Sequence, residues 1–402
     1  MSNKDLFSAP DHEPVKPLNR RWFYDPSVRS FIYQVLAILA VAAFFIHITS
    51  NALENLDARG ITTGFGFLDD PAGFGIIQSL IPYDESYSYG TTFFVGLFNT
   101  LLVSFIGVIL ATLLGFSIGV SRLSDNWLVA KIAATYIEIF RNIPLLLQIL
   151  FWYFAVLRAL PRPKQSFEFF QSIFVNVRGI YLPKPVFESG FSLVAIAFIV
   201  AVTAAAILAI YNHRRQVATG QTIPVFSISV GLILILPLLA YFAAGGPVSW
   251  DLPALKGFNF QGGIAIIPEF MALLLALTMY TAAFIAEIVR SGIESIDTGQ
   301  KEAAAAIGLS QKLVLKLVVI PQALRVIIPP LTSQYLNLIK NSSLATAIGY
   351  PDLVSVFSGT TLNQTGQAIE IILMTMSVYL TVSLLVSLFM NWFNNRIALV
   401  ER

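Results

Sequence analysis

The chain alternates long apolar stretches with short polar connections. Eight stretches carry few charges and approach the roughly 20 mostly apolar residues that a helix needs to cross a bilayer. They cover residues 31–49, 91–120, 143–160, 191–211, 225–244, 266–289, 326–349 and 369–392. The pattern predicts an all-α polytopic membrane protein with about eight transmembrane helices.

The seventh stretch is the least regular, because it contains Pro329, Pro330 and Lys340. The charges of the connections nevertheless require it to span. Lys and Arg gather in cytoplasmic connections, and here they gather before the first stretch, in 290–325 and at the C-terminus. Two cytoplasmic segments must be joined by an even number of crossings, so the seventh and eighth stretches both cross. Both termini are then predicted to be cytoplasmic.

One connection disagrees with this charge rule. Segment 161–190 must be outside, yet it contains Arg162, Lys164, Arg178 and Lys184. The rule is statistical, and a connection that follows several firmly oriented spans can violate it. We therefore keep 161–190 on the outside.

Segment 123–142 has apolar positions at helical spacing, mixed with Lys131, Glu138 and Arg141. A helix with one apolar and one charged face lies in the plane of the membrane surface. We therefore expect an amphipathic helix at the inner face.

Composition excludes several classes of function. Of the 402 residues 56% are hydrophobic and 12% charged, and the formal net charge of +2 gives no reason to expect nucleic-acid binding. There is no cysteine, and the three histidines are far apart, so we expect no metal site and no other cofactor. The dipeptide Gly-Lys of a phosphate-binding loop does not occur, so the chain is not itself an ATPase and is not expected to be an enzyme.

The stretch "KEAAAAIGLSQKLVLKLVVIPQALR", residues 301–325, carries too many charges to span and too many apolar residues to be an ordinary loop. Asp297 can cap a helix rich in alanine, and Gly308 can end it in a left-handed conformation. Ser310 can cap a second helix, which we expect to stop at Pro321. The residues alone allow either a docking knob for a partner or an alanine-rich linker lying on the membrane.

The same stretch resembles the cytoplasmic loop of ABC-importer permeases, in which the motif EAA is followed by a glycine and a proline. Here Glu302, Ala303 and Ala304 precede Gly308 by three residues, and nine further residues lead to the segment that ends in Pro321. The departures are the apolar exchanges Val318 and Ile320. The resemblance implies a coupling helix that sits in a cleft of an ABC ATPase dimer.

Further segments resemble the polar amino-acid permeases in particular. They include "YIEIFRNIPLLLQILFWYF" and "IPQALRVIIPPLTSQYLNLIKNSSLA", and the likeness covers roughly 90–160 and 265–402. It implies a type I ABC importer permease core in the bacterial inner membrane, which moves polar L-amino acids across the bilayer. The implied partners are the ATPase dimer, an extracellular or periplasmic amino-acid-binding protein and a second permease subunit.

With its extra first span and two inserted spans, the chain also resembles the longer permeases of general L-amino-acid importers, and this likeness favours a second permease that is a related but different chain. They also imply a division of the sequence. Residues 1–30 are a cytoplasmic tail, 31–90 an extra first span with an outer loop, and 91–402 the permease domain. Within that domain we expect a two-span insertion at about 161–262 and the coupling loop at 291–325.

Polar residues inside the apolar stretches are candidates for the substrate path, because they are costly in a membrane. Glu287 can contact substrate or pair with Arg290, three residues later on the same helix. Lys340 can meet a substrate carboxylate or pair with Glu287 or another carboxylate of the bundle. Asn337, Asn341 and Ser342 lie near Lys340 in the same stretch and are candidates as parts of one polar stripe. Asn99, Thr100 and Gln148 are further candidates, each of which can instead hold helices together.

Two other classes of function remain open at this point. The chain can be an ion-driven secondary transporter or channel for small polar solutes, although such proteins commonly show repeated broken helices in two halves. The seventh stretch is interrupted by Pro329 and Pro330, and no matching proline pair stands in the other half. The chain can also be a membrane scaffold whose alanine-rich loop recruits another protein.

Overall fold

Residues 26–58, 60 and 63–397 are described by a computed structural model of the protein. The chain divides into two units, Met1–Phe65 and Gly66–Arg402. In the first unit, helix α1 runs over Pro26–Ala58, and its part Val28–Ala52 is long and apolar enough to cross a membrane. Most of the predicted tail 1–30 lies outside the described residues.

The second unit is built mainly from helices. They are α2 (Tyr89–Arg122), α3 (Trp127–Asn142), α4 (Leu145–Leu150), α5 (Phe191–Thr219), α6 (Val225–Ala243), α7 (Pro268–Glu294), α8 (Thr298–Ala306), α9 (Gln311–Val314), α10 (Ile320–Asn341), α11 (Leu362–Thr365) and α12 (Ala368–Ile397). Helix α4 continues through a π turn, Phe151–Val156, and a 3-10 turn, Leu157–Ala159. Short 3-10 and π turns, Ser342–Ile348 and Val354–Thr361, lie between α10 and α11.

The number of spans agrees with the pattern of apolar stretches. In the described part of the chain, seven helices are long and apolar enough to span, or eight if α3 and the extended α4 count as one. That pair is bent by 104°. Helix α3 is the segment predicted to be amphipathic, and its apolar residues Ala133, Ala134 and Ile137 are buried while Trp127 is exposed.

Helices α2 and α7 form the closest contact of the bundle. An ideal Cβ on Gly115 would lie 2.6 Å from the Ile285 Cβ, and one on Gly119 would lie 2.7 Å from the Ala286 carbonyl oxygen. Positions rise together along both helices, so α2 and α7 run parallel. Small residues at this spacing let two membrane helices approach closely, where dispersion contacts and weak polar contacts add up.

Helix α10 is reached without a break from the second helix of the 301–325 stretch. Helix α9, a π turn at Leu315–Val319 and α10 follow one another directly, so the prediction that this helix stops at Pro321 is wrong. Proline lacks an N–H and crowds the carbonyl of the preceding turn. The wider π turn comes just before Pro321 and avoids that conflict, because the hydrogen-bond pattern changes there in any case.

The connections around α5 and α6 contain short strands, which the apolar pattern did not predict. A sheet of order β1-β2-β3-β8 is formed by Phe167–Phe169, Ile173–Asn176, Gly179–Leu182 and Ile264–Ile266, all antiparallel. Two separate two-stranded sheets accompany it: β4 (Lys184–Phe187) with β5 (Val248–Asp251), and β6 (Ala254–Lys256) with β7 (Asn259–Gln261). We call these strands and their turns the β module.

The β module has a small aromatic core. Phe260 of β7 lies between Phe174 and Tyr181, at ring-centroid distances of 4.5 and 4.9 Å. The Tyr181 hydroxyl donates to the Asn259 side-chain oxygen at 2.8 Å. Burial raises the pKa of Tyr181, so the hydroxyl stays protonated and able to donate. These contacts fix the β6–β7 hairpin on the four-stranded sheet.

Helix α7 connects this module to the coupling stretch. Strand β8 ends at Ile266, α7 begins at Pro268, and α8 follows the other end of α7 after three residues. At 1.5 Å per residue the 27 residues of α7 extend about 40 Å, more than the hydrocarbon thickness of a bilayer. The β module and α8 therefore lie at opposite ends of a membrane-crossing helix.

Replacement of Gly115 by alanine tests the α2–α7 contact. We expect Gly115→Ala to lower the unfolding temperature in detergent by several degrees, because overpacking costs about 1–3 kcal/mol and the new Cβ meets Ile285 and the Ala282 carbonyl oxygen. Gly231→Ala in α6 is the matched control, since a Cβ there meets nothing within 4 Å. Equal unfolding temperatures for the two variants would contradict the role of this contact.

Candidate functional site

The coupling stretch forms the predicted helix, turn and helix. The Asp297 carboxylate accepts from the Gly299 N–H at 2.7 Å and caps α8. At the other end Gly308 has φ +84°, the left-handed conformation that glycine adopts readily. The N–H groups of Gly308 and Leu309 donate to the carbonyls of Ala305 and Ala304 at 2.9 and 3.2 Å. This pair of bonds is a Schellman turn, which ends a helix tightly.

One side of α8 is open. Ala304 is buried against the bundle, whereas Glu302, Ala303 and Gly308 are exposed. Ile307, next to the turn, is 78% exposed, and the sequence analysis did not single it out. The sequence did contain a signal for Ile307, namely a large apolar residue directly before the glycine that ends the helix. A cavity of about 410 Å³ lies between α8 and the helix that follows, lined among others by Glu302 and Leu315.

Pro321 lies apart from this exposed surface. It stands in the first turn of α10, where its side chain is partly buried. Pro321 therefore affects the course of helix α10 and is not part of the exposed face of α8.

Glu287 is engaged by Arg290. The Arg290 guanidinium donates to both Glu287 carboxylate oxygens, at 2.5 and 3.2 Å, and also contacts Glu294. Pairing with Arg290, one of the two alternatives for Glu287, is therefore confirmed. Both side chains are partly exposed near the end of α7, so a substrate role for Glu287 would require the pair to open.

Asn99, Thr100 and Gln148 are buried and bridge segments. Asn99 donates to the carbonyls of Gln78 and Pro351 at 2.8 and 2.9 Å.

Thr100 Oγ1 accepts from the Leu353 N–H at 3.0 Å. These bonds hold the turn segment after α10 against α2, as the alternative for both residues anticipated.

Gln148 stabilises the bend between α3 and α4. Its amide donates to the carbonyls of Phe140 and Ile143, at 3.0 and 2.9 Å. Both carbonyls lie at the end of α3, where no helical partner remains for them. The side chain therefore closes the 104° corner rather than facing a path.

Helix α10 exposes a polar stripe. Ser333, Asn337 and Lys340 are exposed and lie at i, i+4 and i+7, so they share one face. Among the described residues Lys340 has no carboxylate within ion-pair distance, so its pairing with Glu287 is not observed. Ser333 was missed, although its spacing from Asn337 was a sufficient signal.

The two residues after Lys340 point differently. Asn341 is partly buried, and Ser342 is fully buried and donates to the Ile339 carbonyl oxygen at 2.7 Å. The polar run at the end of α10 therefore divides between an exposed face and the interior. Within residues 26–58, 60 and 63–397 no cluster of three His, Cys, Asp or Glu could hold a metal ion.

Comparison with known proteins identifies relatives along nearly the whole chain. The family described as binding-protein-dependent transport system inner membrane component matches residues 213–399. The chain is 56% identical to the putative amino-acid ABC transporter permease protein YhdX of Escherichia coli K12, over 94% of this chain and 97% of that protein. It is 51% identical to the general L-amino acid transport system permease protein AapQ of Rhizobium johnstonii, over 95% and 96%.

A third relative is the glutamate/glutamine/aspartate/asparagine transport system permease protein BztB of Rhodobacter capsulatus. The identity is 45%, over 94% of this chain and 96% of that protein. These full-length likenesses support neither the ion-driven transporter nor the scaffold alternative. The chain belongs to the permease subunits of binding-protein-dependent amino-acid ABC transporters, multi-pass inner-membrane proteins that are not themselves enzymes and work with separate ATPase and substrate-binding partners.

Proposed function

We propose that the chain is one half of a permease pair that imports polar L-amino acids, with α8 and the Gly308 turn seated on the ATPase. The exposed face of α8 carries this proposal. A short helix ended by a Schellman turn, with Glu302, Ala303 and Ile307 exposed, offers a narrow surface that fits a groove. Two relatives support the substrate class by their names. One name specifies general L-amino acids, and the other specifies glutamate, glutamine, aspartate and asparagine.

Movement at the ATPase would reach the bilayer along one helix. The helix over Gln311–Asn341 is unbroken, and its 31 residues extend about 45 Å from a point beside α8 to the turn that carries Lys340. The three residues between α7 and α8 add a second short connection. Closure of the ATPases would then displace α7 and α10 together and change which side of the membrane the path opens to.

The polar stripe of α10 supports a second subunit. Ser333, Asn337 and Lys340 would face hydrocarbon in a lone chain, which is costly for an ammonium group. A second permease would cover this face and enclose a path between the two chains. We propose a related but different chain for it, because the likeness to the longer general amino-acid permeases favours a mixed pair.

Within that path Lys340 would meet the substrate carboxylate, and Asn337 would donate to it or to a polar side chain. An ammonium group binds a carboxylate through a charge-assisted hydrogen bond. Glu287 and Asn341 would lie at the margins of the path, while the buried residues Asn99, Thr100, Gln148 and Ser342 would maintain its walls.

The topology completes the proposal. With α8 on the cytoplasmic ATPase, both termini are cytoplasmic, and the β module lies outside. The insertion at about 161–262 would then comprise α5, α6 and most of the module, added to a permease domain of 91–402. Residues 31–90 would supply the extra first span and its outer loop.

Purification of the tagged chain from its native membrane tests the docking surface. We expect wild type to bring an ATPase and a second permease with it, and Gly308→Arg to lose the ATPase, because a side chain at φ +84° distorts the turn. Gly366→Arg is the matched control: Gly366 has φ +73° and equally open space, but lies before α12.

Retention of the ATPase by Gly308→Arg, or its equal loss from Gly366→Arg, would refute the docking surface. A wild-type chain that purifies without any ATPase would refute the proposed function itself.

Transport kinetics test the path. We expect Lys340→Met to lower substrate uptake at limiting concentration by roughly tenfold or more, because a hydrogen bond to a charged group contributes about 1.5–3 kcal/mol. The unfolding temperature should not fall, since Lys340 has no ion-pair partner among the described residues. Lys340→Arg should retain part of the uptake.

Asn99→Ala provides the opposite case. It removes hydrogen bonds to two backbone carbonyls, so we expect a loss of stability of about 1–3 kcal/mol.

Uptake that is unchanged in Lys340→Met would contradict the role of Lys340 in the path.

A further inference from the structure

The β module contains a basic pocket that neither the fold nor the family assigns. The cavity has a volume of about 570 Å³ and is lined by Arg162, Pro163, Lys164, Gln165, Val177, Arg178 and Phe258. Three of these residues are cations and none is acidic. In the described part of the chain, none of the three cations has a carboxylate within 4.0 Å. Such a pocket is complementary to an anionic partner.

The walls of the pocket are held by hydrogen bonds of a buried side chain. Asn176 is fully buried. Its amide donates to Ser166 Oγ at 3.0 Å, and its side-chain oxygen accepts from the Arg178 N–H at 2.8 Å. These two bonds link the segment that carries Arg162 and Lys164 to the turn that carries Arg178. The three cations are therefore brought together by the framework rather than by loose surface loops.

Phe258 covers the edge of the pocket. It follows Gly257, whose φ is +65°, at the tip of the β6–β7 hairpin, and its ring is 81% exposed. The Lys164 ammonium lies 5.6 Å from the ring centroid, within range of a cation–π contact. Aromatic residues and arginine are enriched in protein interfaces, and the pocket presents Phe258 beside two arginines.

The pocket is connected to core helices of the bundle by short segments and hydrogen bonds. Arg162 follows the last turn of the extended α4 by three residues, and the Val177 N–H donates to the Pro161 carbonyl oxygen at 2.9 Å. Strand β3 pairs with β8, which leads into α7. A partner bound at the pocket would therefore lie against segments that continue into α4 and α7.

We infer that Arg162, Lys164, Arg178 and Phe258 form a docking site for acidic side chains on the surface of the amino-acid-binding protein. This rests on the proposed function, which puts the module outside. Arginine guanidinium groups bind carboxylates through two parallel hydrogen bonds, so acidic side chains are the matching chemistry. The site also gives a physical reason for the excess of cations in an outer connection, which opposes the usual charge bias.

Reconstituted transport tests the docking site. The complete transporter is placed in vesicles of phosphatidylethanolamine, with and without the anionic lipid phosphatidylglycerol, and ATP-driven uptake is measured against the concentration of its binding protein. In Arg162→Glu/Arg178→Glu we expect the half-saturating concentration to rise at least about tenfold, since charge reversal at an interface weakens encounter and binding. The maximal rate should change by less than about twofold.

Milder and matched variants accompany the double variant. Lys164→Gln and Phe258→Ala should each raise the half-saturating concentration by a few fold, which keeps the test valid if the double variant does not fold. Lys256→Glu is the control, because Lys256 is an exposed cation of the same hairpin that does not line the pocket. Added salt should weaken the wild type more than the double variant.

Three outcomes of this experiment distinguish the docking site from its alternatives. An unchanged half-saturating concentration in the pocket variants, or an equal rise in Lys256→Glu, overturns the inference. A defect that appears only in vesicles containing phosphatidylglycerol overturns it in favour of an anionic lipid headgroup. Failure of the proposed function is distinct, because the wild-type transporter would then show no ATP-driven uptake at any concentration of binding protein.

Discussion

The close contact between α2 and α7 is the constraint on which the rest of the structure depends. Gly115 and Gly119 have no side chain, and α7 presents Ala282 and Ala286 opposite them. In a bilayer there is little hydrophobic gain from joining two apolar helices, so close backbone approach must supply much of the attraction. Helix α7 is thereby fixed in the bundle, with the β module at one end and α8 at the other.

The second constraint is the continuity of the helix from Gln311 to Asn341. If the helix stopped at Pro321, a flexible hinge would connect α8 to the membrane-spanning part of α10. A displacement of α8 would then be absorbed at that hinge. The π turn at Leu315–Val319 accommodates the proline without such a hinge. In the proposed function, this continuous helix on one side of α8 and the three-residue connection on the other would transmit a displacement of α8 toward the far side of the bilayer.

Local signals predicted much of this arrangement. The apolar pattern located the spans, and Asp297 and Gly308 located both ends of α8, because caps and left-handed turns depend on neighbouring residues. The error at Pro321 arose where two local rules competed and the helix was retained by packing of α10 on α7. The β module was missed because its strands are three or four residues long and its core is a single cluster around Phe260.

Polar residues of the spans show why local signals are insufficient for a site. Asn99, Thr100, Asn337 and Lys340 all stand within apolar stretches, yet the first pair is buried and bonded to distant backbone groups, and the second pair is exposed. Only the tertiary arrangement separates them. An unpaired ammonium on a lipid-facing surface is more costly than one in a path enclosed by two chains and filled with water. The exposure of Lys340 is therefore itself an argument that α10 faces a second subunit, and that the path lies between chains rather than within one.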